Sequence, residues 1–271
     1  MVMTKATMPT VSICILSFNR LEKLRINLRK LYNAVDYPLD LLDVIVIDNA
    51  SADGSPDMVE AEFPLVRLVR RNKNIGVTGW NDAFNIARGK YCIVLDDDAY
   101  LEGSSLRQAV ARMEANPRMG ILALRVLAPN DALDFTIAYP TGVLSFWGCS
   151  AVLRKQMIDE IGVYDPLFFF QAFELDYTLR ARRAGWDVAF ASDLPAFHMT
   201  TTGGPQNAMK FYYSRRNLII VAMKTFSRRR LISTLKSQMR VTWAFGREQS
   251  GWTKTKAIVH GLWIGFFAKM R

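Results

Sequence analysis

The chain has 271 residues, half of them hydrophobic, enough to bury a sheet with helices on both faces and close to the ~250-residue reach of a single α/β domain. That composition excludes a disordered or low-complexity protein. Lys and Arg outnumber Asp and Glu by 35 to 25, a formal charge of +10, which by itself suits nucleic acid, anionic lipid or a phosphorylated substrate.

The placement of the charge is more informative. Residues 205–271 hold 14 basic side chains against one acid, Glu248, and so carry +13, which leaves −3 on residues 1–204. The expected division is a folded domain over 1–204 and a basic helical segment over 205–271. Cys14, Cys92 and Cys149 are odd in number, far apart and set in apolar runs, the pattern of reduced core thiols in a cytoplasmic protein more than of disulfides or metal ligands. The opening MVMTKATMPT lacks the apolar stretch of a signal peptide, and the run Ala257–Ala268 is shorter than the ~20 residues a membrane span needs.

In chain order, VSICILSF (Val11–Phe18) reads as a buried strand, and Leu21, Leu24, Leu28, Leu31 and Val35 follow at helical spacing. DVIVID (Asp43–Asp48) is a second strand, with the turn-forming NASADGS after it, and Val66–Val69 a third. A helix is expected from Val77 to Arg88 with Gly89 as its stop, then the strand YCIVL (Tyr91–Leu95), which runs straight into Asp96-Asp97-Asp98. Strands alternating with helices imply a mostly parallel, Rossmann-like sheet whose ligand crevice lies outside the carboxyl ends of the strands, where Asp48 and the Asp triplet fall. A helix over Ser104–Ala115 follows. Between Arg125 and Gly148 the pattern loosens around Pro129, Pro140 and Gly142, as an acceptor-side sheet would. Helices are expected over Ser150–Ile161 and Glu174–Ala184, then a strand over Val188–Ala191 leading to His198.

Three consecutive carboxylates repel one another, and burying them dry is costly without a cation. The alternative is a solvated acidic turn. Oxygen donors favour Mg²⁺ or Mn²⁺, and a nearby imidazole tilts the choice toward Mn²⁺. Neither a GxxxxGK[ST] phosphate loop nor GxGxxG spacing is present in NIGVTG, which weakens kinase and dehydrogenase readings.

The segments VSICILSFNR, VIVIDNASADGS and NIGVTGWNDAFNIARGKYCIVLDDD match, in order and spacing, the pattern of glycosyltransferase family 2. The resemblance extends from Val11 to about Lys224 and is nearest to bacterial rhamnosyl- and galactofuranosyl-type transferases of cell-surface glycans. It implies the A-type glycosyltransferase fold and an inverting, metal-dependent hexosyl transfer from a UDP- or dTDP-linked sugar. Under this resemblance Asp48 accepts from the pyrimidine N–H with Ser17 lining the base, Asp96 is near the ribose, Asp98 ligates the metal, and Asp97 assists either. Asp53 is then left to cap a helix. Gly76 would let the backbone approach the nucleotide and Asn81 would contact it, although turn and packing roles serve both equally. Trp147-Gly148 resembles the turn beneath the donor sugar, with core packing an equal use for Trp147.

Family members carry an acidic cluster where this chain has Phe173-Glu174-Leu175-Asp176. Aligning Asp176 and Arg180 puts Glu174 at the catalytic base. The family's first acid becomes Phe173, and its usual Asp becomes the longer Glu174. Asp176 is assigned to structure. His198 occupies the place of a metal-binding His, and the composition of the segment after it, MTTTGGPQ (Met199–Gln206), suits one mobile enough to close over a diphosphate. Phe168, Phe169 and Phe170 divide between core and acceptor wall. FYYSRRNLIIVAMK resembles a segment in which Arg215, Arg216 and Asn217 help with the diphosphate, or in which the arginines face lipid.

SRRRLISTLKSQMR and AIVHGLWIGFFAKMR interleave cations with large apolar residues, which suits helices lying on an anionic membrane surface. The expected location is the inner face of a bacterial membrane, with a glycan or lipid-linked acceptor. The alternative is a basic hairpin packed on the catalytic domain or on a second subunit, as in a homo-oligomer. Two rivals from other classes stand beside this reading. A nucleic-acid-binding protein is disfavoured by the acidic strand end, and a sugar-nucleotidyltransferase by the lack of its Gly-rich opening loop.

Overall fold

The computed structural model describes residues 7–128, 144–199, 208–245 and 250–269. An eight-stranded sheet has the order β3-β2-β1-β4-β7-β6-β8-β5, made of β1 Val11–Ser17, β2 Leu42–Asp48, β3 Arg67–Arg70, β4 Tyr91–Asp96, β5 Ala99–Tyr100, β6 Met119–Leu127, β7 Ser150–Arg154 and β8 Asp187–His198. Strands β3, β2, β1 and β4 run parallel, β7 is antiparallel to both β4 and β6, β6 and β8 are parallel, and β5 closes the edge antiparallel to β8.

Central parallel strands are covered on both faces, which is why their sequences are continuous apolar runs without alternation. Alternate side chains feed two cores. Ile13, Ile15, Val44, Val46, Ile93 and Leu95 join the first, with Leu24, Leu28 and Leu31 of α1 (Leu21–Ala34) and Leu106, Val110 and Met113 of α4 (Ser105–Ala115). Cys14, Ile45, Ile47, Cys92 and Val94 point to the second, with α3 (Trp80–Ile86), α5 (Lys155–Ile161) and α6 (Phe173–Arg183). All three cysteines are buried and free, as expected of core thiols.

Three sequence expectations need correction. Residues 150–154, read as the start of a helix, form β7, and helix α5 begins only at Lys155. The run Ser-Ala-Val-Leu-Arg is too short for periodicity to separate a buried strand from a helix. Residues 76–79 form a 3₁₀ turn before α3, which stops at Ile86. Gly89 therefore is not the helix stop. A Cβ there would stand 2.3 Å from the Ser12 amide nitrogen, so the glycine lets the chain enter β4 against β1. The strand before His198 extends over Asp187–His198, three times the length expected. Of the loosened Arg125–Gly148 stretch, Arg125–Leu127 belong to β6, while Pro129, Pro140 and Gly142 lie outside the described residues, as do 200–206 of the expected closing segment and Glu248. Helix α2 (Ser55–Glu62) connects β2 to β3.

After β8 come α7 (Ala208–Thr225), α8 (Arg228–Phe245) and α9 (Gly251–Lys269). Leu218, Ile220 and Val221 of α7 belong to the second core. Lys224 fastens this helix down: its Nζ lies 2.6 Å from Asp165 and 2.7 Å from Asp176, whose side chain is 1 % exposed and also pairs with Arg180 at 3.1 Å. Helix α9 packs on α7 through Gly261 and Gly265, where a Cβ would come within 2.9 Å of the Arg216 carbonyl oxygen and 2.7 Å of Met223 Sδ. Removing one partner of a buried ion pair costs about 3–5 kcal/mol. Lys224→Met is therefore expected to lower unfolding free energy in urea by about 3 kcal/mol, and Asp176→Asn in the same chain should recover part of it. An unchanged urea midpoint in Lys224→Met would show that this ion pair does not anchor α7.

Candidate active site

The carboxyl ends of β1, β2 and β4 lie side by side: Ser17 is in register with Asp48, and Leu16 with Asp96. Ser17 and Asp48 are buried. Asp48 Oδ2 accepts from the Ser51 amide at 3.1 Å and so fixes the NASADGS turn, whereas Ser17 Oγ and Asp48 Oδ1 are buried without a hydrogen-bond partner. A buried acceptor left unmade is costly, and here it lies at the strand ends. Asp53 accepts from the first amides of α1 and α2, Leu21 at 2.9 Å and Ser55 at 3.0 Å, which is the capping task expected of it.

Asp96 closes β4, and Asp97 and Asp98 form the two-residue step to β5. Asp97 and Asp98 are buried, and the Asp96 side chain is 35 % exposed. Asp97 accepts from the Phe18 amide at 3.0 Å and from Arg20 at 3.1 Å. Asp98 lies 2.7 Å from Arg20 Nη1 and 3.3 Å from Lys23 Nζ. Asn27 of α1 donates to the Asp96 carbonyl at 2.9 Å. These two cations are not enough. Burial pushes the Asp97 carboxyl up to about 7, with Arg20 opposing and Asp96 and Asp98 adding to the rise. Arg20 and Lys23 were missed in the sequence, where they read as ordinary charges at a helix start.

Pairing of Ala99 with His198 brings the histidine to the triplet. Its Nε2 lies 3.2 Å from Asp98 Oδ1 and 3.7 Å from Asp96 Oδ2. Each carboxylate thus approaches the imidazole, and oxygen and imidazole donors of this kind suit Mn²⁺ or Mg²⁺.

The third wall comes from β7. Leu95 pairs with Ser150, so Trp147, Gly148 and Cys149 lie next to the triplet. A Cβ on Gly148 would stand 2.5 Å from Phe173 Cζ and 3.3 Å from Glu174 Oε1. Only glycine fits between this turn and the start of α6. Trp147 is half-buried and packs on the first core. Glu174, in the first turn of α6, is 8 % exposed. Burial, then the charges of Asp96, Asp98 and Glu174, push the Cys149 thiol well up. Phe173, at the position of the family's first acid, is core: it stacks on Trp80 at 6.0 Å and meets Tyr164 edge-on at 4.9 Å.

Gly76 and Asn81 stand apart from this cluster in their contacts. Gly76 has φ +66°, and a Cβ would reach 1.9 Å from the Phe169 carbonyl oxygen, so the close approach it permits is to Phe169. Asn81 spends both ends of its amide on the Tyr164 backbone, at 2.9 and 3.0 Å. An open cleft of 530 Å³, lined in part by Arg71, Lys73, Asn74 and Phe169, lies beside them and includes none of the triplet. Asn49, missed in the sequence, donates to Asn74 at 2.9 Å and to the Gly76 carbonyl at 3.0 Å, tying the end of β2 to that loop. Phe168 and Phe170 contribute to the second core, while Phe169 stacks on Tyr213 at 5.4 Å. Arg215 donates to Gln238 at 3.0 Å. Arg216 donates to the Leu167 carbonyl at 2.5 Å, and Asn217 to the carbonyls of Phe170 and Gln171 at 2.6 and 2.7 Å. Arg216 and Asn217 thus hold the segment before α6, while Arg215 reaches α8.

Among solved structures the architecture is similar to S. aureus TarS 1–349 in complex with UDP-GlcNAc (TM-score 0.67, 15 % identity, 96 % of this chain and 81 % of that one). It is equally similar to the mannosyltransferase PcManGT from Pyrobaculum calidifontis in complex with GDP-Man and Mn²⁺ (TM-score 0.65, 17 % identity, 98 % and 88 %). At such identities the likeness shows the fold, which is the A-type glycosyltransferase fold. In sequence, the chain is 25 % identical over 185 residues to the beta-monoglucosyldiacylglycerol synthase of Synechocystis sp., covering 60 % of this chain and 38 % of that protein. It is 29 % identical over 221 residues to the glucans biosynthesis glucosyltransferase H of Dickeya dadantii, covering 64 % and 25 %. The chain thus spans well under half the length of these relatives. The profile of glycosyl transferase family 2 matches residues 12–170, which hold Asp48, the triplet and Gly148 but stop short of Glu174 and His198. With that profile matched over more than half of its length and the fold of nucleotide-sugar transferases around the acidic strand end, the chain belongs to glycosyl transferase family 2.

Proposed function

We propose that this glycosyltransferase moves a sugar, with inversion, from a UDP- or dTDP-linked donor to a hydroxyl of a glycan or lipid-linked acceptor. The observation that carries the reading is the meeting, at neighbouring strand ends, of a buried unpartnered acceptor on Asp48 and the Asp96–Asp98 triplet with His198, with Glu174 at the start of α6 against Gly148, two residues before β7. Solved structures of this fold bind UDP, UDP-GlcNAc or GDP-Man, and the curated relatives include glucosyltransferases and a succinoglycan biosynthesis protein.

In this mechanism Asp48 and Ser17 hold the pyrimidine, and Asp96 stands on the ribose side. Asp98 and His198 would hold a divalent cation, with Asp97 assisting. When bound, Mn²⁺ or Mg²⁺ supplies charge neutralisation to the departing diphosphate. Glu174 removes the proton of the acceptor hydroxyl, an action worth about 10²–10⁴-fold, and attack on the face opposite the diphosphate inverts the anomeric centre. Gly148 keeps the wall between donor and base thin. A panel of nucleotide sugars, read as nucleoside diphosphate release with Mn²⁺ or Mg²⁺, identifies the donor. Glu174→Gln is expected to lose transfer by at least about 10²-fold while keeping donor affinity. Asp98→Asn should lose cation affinity and transfer together. Near-normal turnover in either variant removes its assigned role.

We further infer that α8 and α9 lie on an anionic membrane surface, at the inner face of the cell membrane. No described helix is long and apolar enough to cross a membrane. Helix α8 instead exposes Ile232, Lys236, Met239, Arg240 and Trp243 along one stripe, and α9 exposes Trp252, Lys256, Val259, Trp263 and Phe266. Trp252 and Trp263, 73 % and 66 % exposed, are unusual on a surface facing only water, and aromatic residues flanked by cations are the composition of interfacial helices. Sedimentation with phosphatidylglycerol vesicles is expected to be strong at low salt and weaker at high salt. Replacing Trp243, Trp252 and Trp263 by Ser should cut partitioning by roughly tenfold or more, and unaltered partitioning would reject this surface.

A further inference from the structure

We propose that Cys149 adds a sulfur donor to the cation site, so that Asp96, Cys149 and His198 together bind a thiophilic divalent cation such as Zn²⁺ or Co²⁺. The inference rests on the reading that this strand end holds a cation, and it concerns which cation the chain's own side chains select.

One donor atom from each of Asp96, Cys149 and His198 lies within 4.8 Å of the other two. The three come from three strand ends that the sheet itself holds together: Asp96 closes β4, Cys149 precedes Ser150, which pairs with Leu95, and His198 pairs with Ala99. Cys149 is 4 % exposed, so its sulfur faces the protein and this cluster. Cys149 also belongs to the first core, as Cys14 and Cys92 belong to the second, but its sulfur is the one that lies beside Asp96 and His198.

An oxygen and imidazole set alone suits hard or borderline cations, whereas a thiolate moves preference toward Zn²⁺, Co²⁺ and Cd²⁺. Coordination forms the metal–sulfur bond and releases the thiol proton to water, with no change of oxidation state. His198 is common to both donor sets, since it also lies 3.2 Å from Asp98. A cation drawn toward Cys149 therefore takes the imidazole away from the Asp98 side. Zn²⁺ should compete with Mn²⁺ and inhibit transfer.

The test is titration of the full chain with Co²⁺, with and without UDP. Wild type is expected to develop a near-ultraviolet sulfur-to-cobalt charge-transfer band, saturating at one Co²⁺ per chain. Cys149→Ser and Cys149→Ala, with folding checked by circular dichroism, should lack the band. Zn²⁺ affinity, measured against a chromogenic chelator, should fall by about tenfold or more, while Mn²⁺ affinity, from the spin resonance of free Mn²⁺, stays within roughly twofold. An identical cobalt spectrum or Zn²⁺ affinity in wild type and Cys149→Ser overturns the proposal. If Mn²⁺ binds and no sulfur band appears, only this inference falls. If neither Mn²⁺ nor Co²⁺ binds with UDP present, the cation reading falls with it.

Discussion

Neutralising the acids at the end of β4 is the constraint on which the rest of this structure turns. Asp97 and Asp98 are buried, and a buried carboxylate without compensation costs several kcal/mol. Compensation is drawn from every neighbouring element: the Phe18 amide after β1, Arg20 and Lys23 at the start of α1, and His198 at the end of β8. Helix α1 must therefore begin where it does. Leu21 donates to Asp53 and Asn19, at φ +52°, accepts from Ala52, so the β1–α1 turn is locked to the loop after β2.

The same arrangement explains why the site is small and stiff. Each group that touches the triplet sits at a strand end or in the first turns of a helix, and register fixes one against the next. A one-residue slip of β7 against β4 would move Gly148 away from Glu174 and Cys149 away from Asp96, because side chains alternate faces along a strand. The slip is prevented by the apolar pattern on both faces, Val152 to the first core and Ala151 and Leu153 to the second. Packing far from the chemistry therefore sets the distances within it.

The first half of the fold was legible in the sequence because its signals are strong. VSICILSF, DVIVID and YCIVL are mainly apolar runs, and each became a parallel strand whose last residue, Ser17, Asp48 or Asp96, lies at the site. The second half was less legible for physical reasons. Five residues such as SAVLR carry no usable period, and a long strand such as β8, with only three of its twelve residues buried, has no apolar run to announce it. The assembly of His198 with the triplet was indicated only by family pattern, since residues 98 and 198 meet through a two-residue strand that no periodicity reveals. Arg20, Lys23 and Asn49 were invisible for a different reason. Their importance lies in whom they touch.

The start of α6 shows how the C-terminal helices bear on the proposed base. Gln171 and Ala172, at φ +66° and +60°, lie in the left-handed region just before Phe173, a conformation that costs non-glycine residues about 1–3 kcal/mol each. It persists because its surroundings hold it. Asn217 of α7 binds the carbonyls of Phe170 and Gln171, Arg216 binds that of Leu167, and Phe173 inserts between Trp80 and Tyr164. This turn aims the first residues of α6 so that Glu174 meets Gly148, and the N-terminal dipole of the helix favours its charge. An acid in place of Phe173 would have to be buried among those rings. Phe173 is the aromatic wedge of this turn, and Glu174 beside it is held by α7 through the residues that precede it.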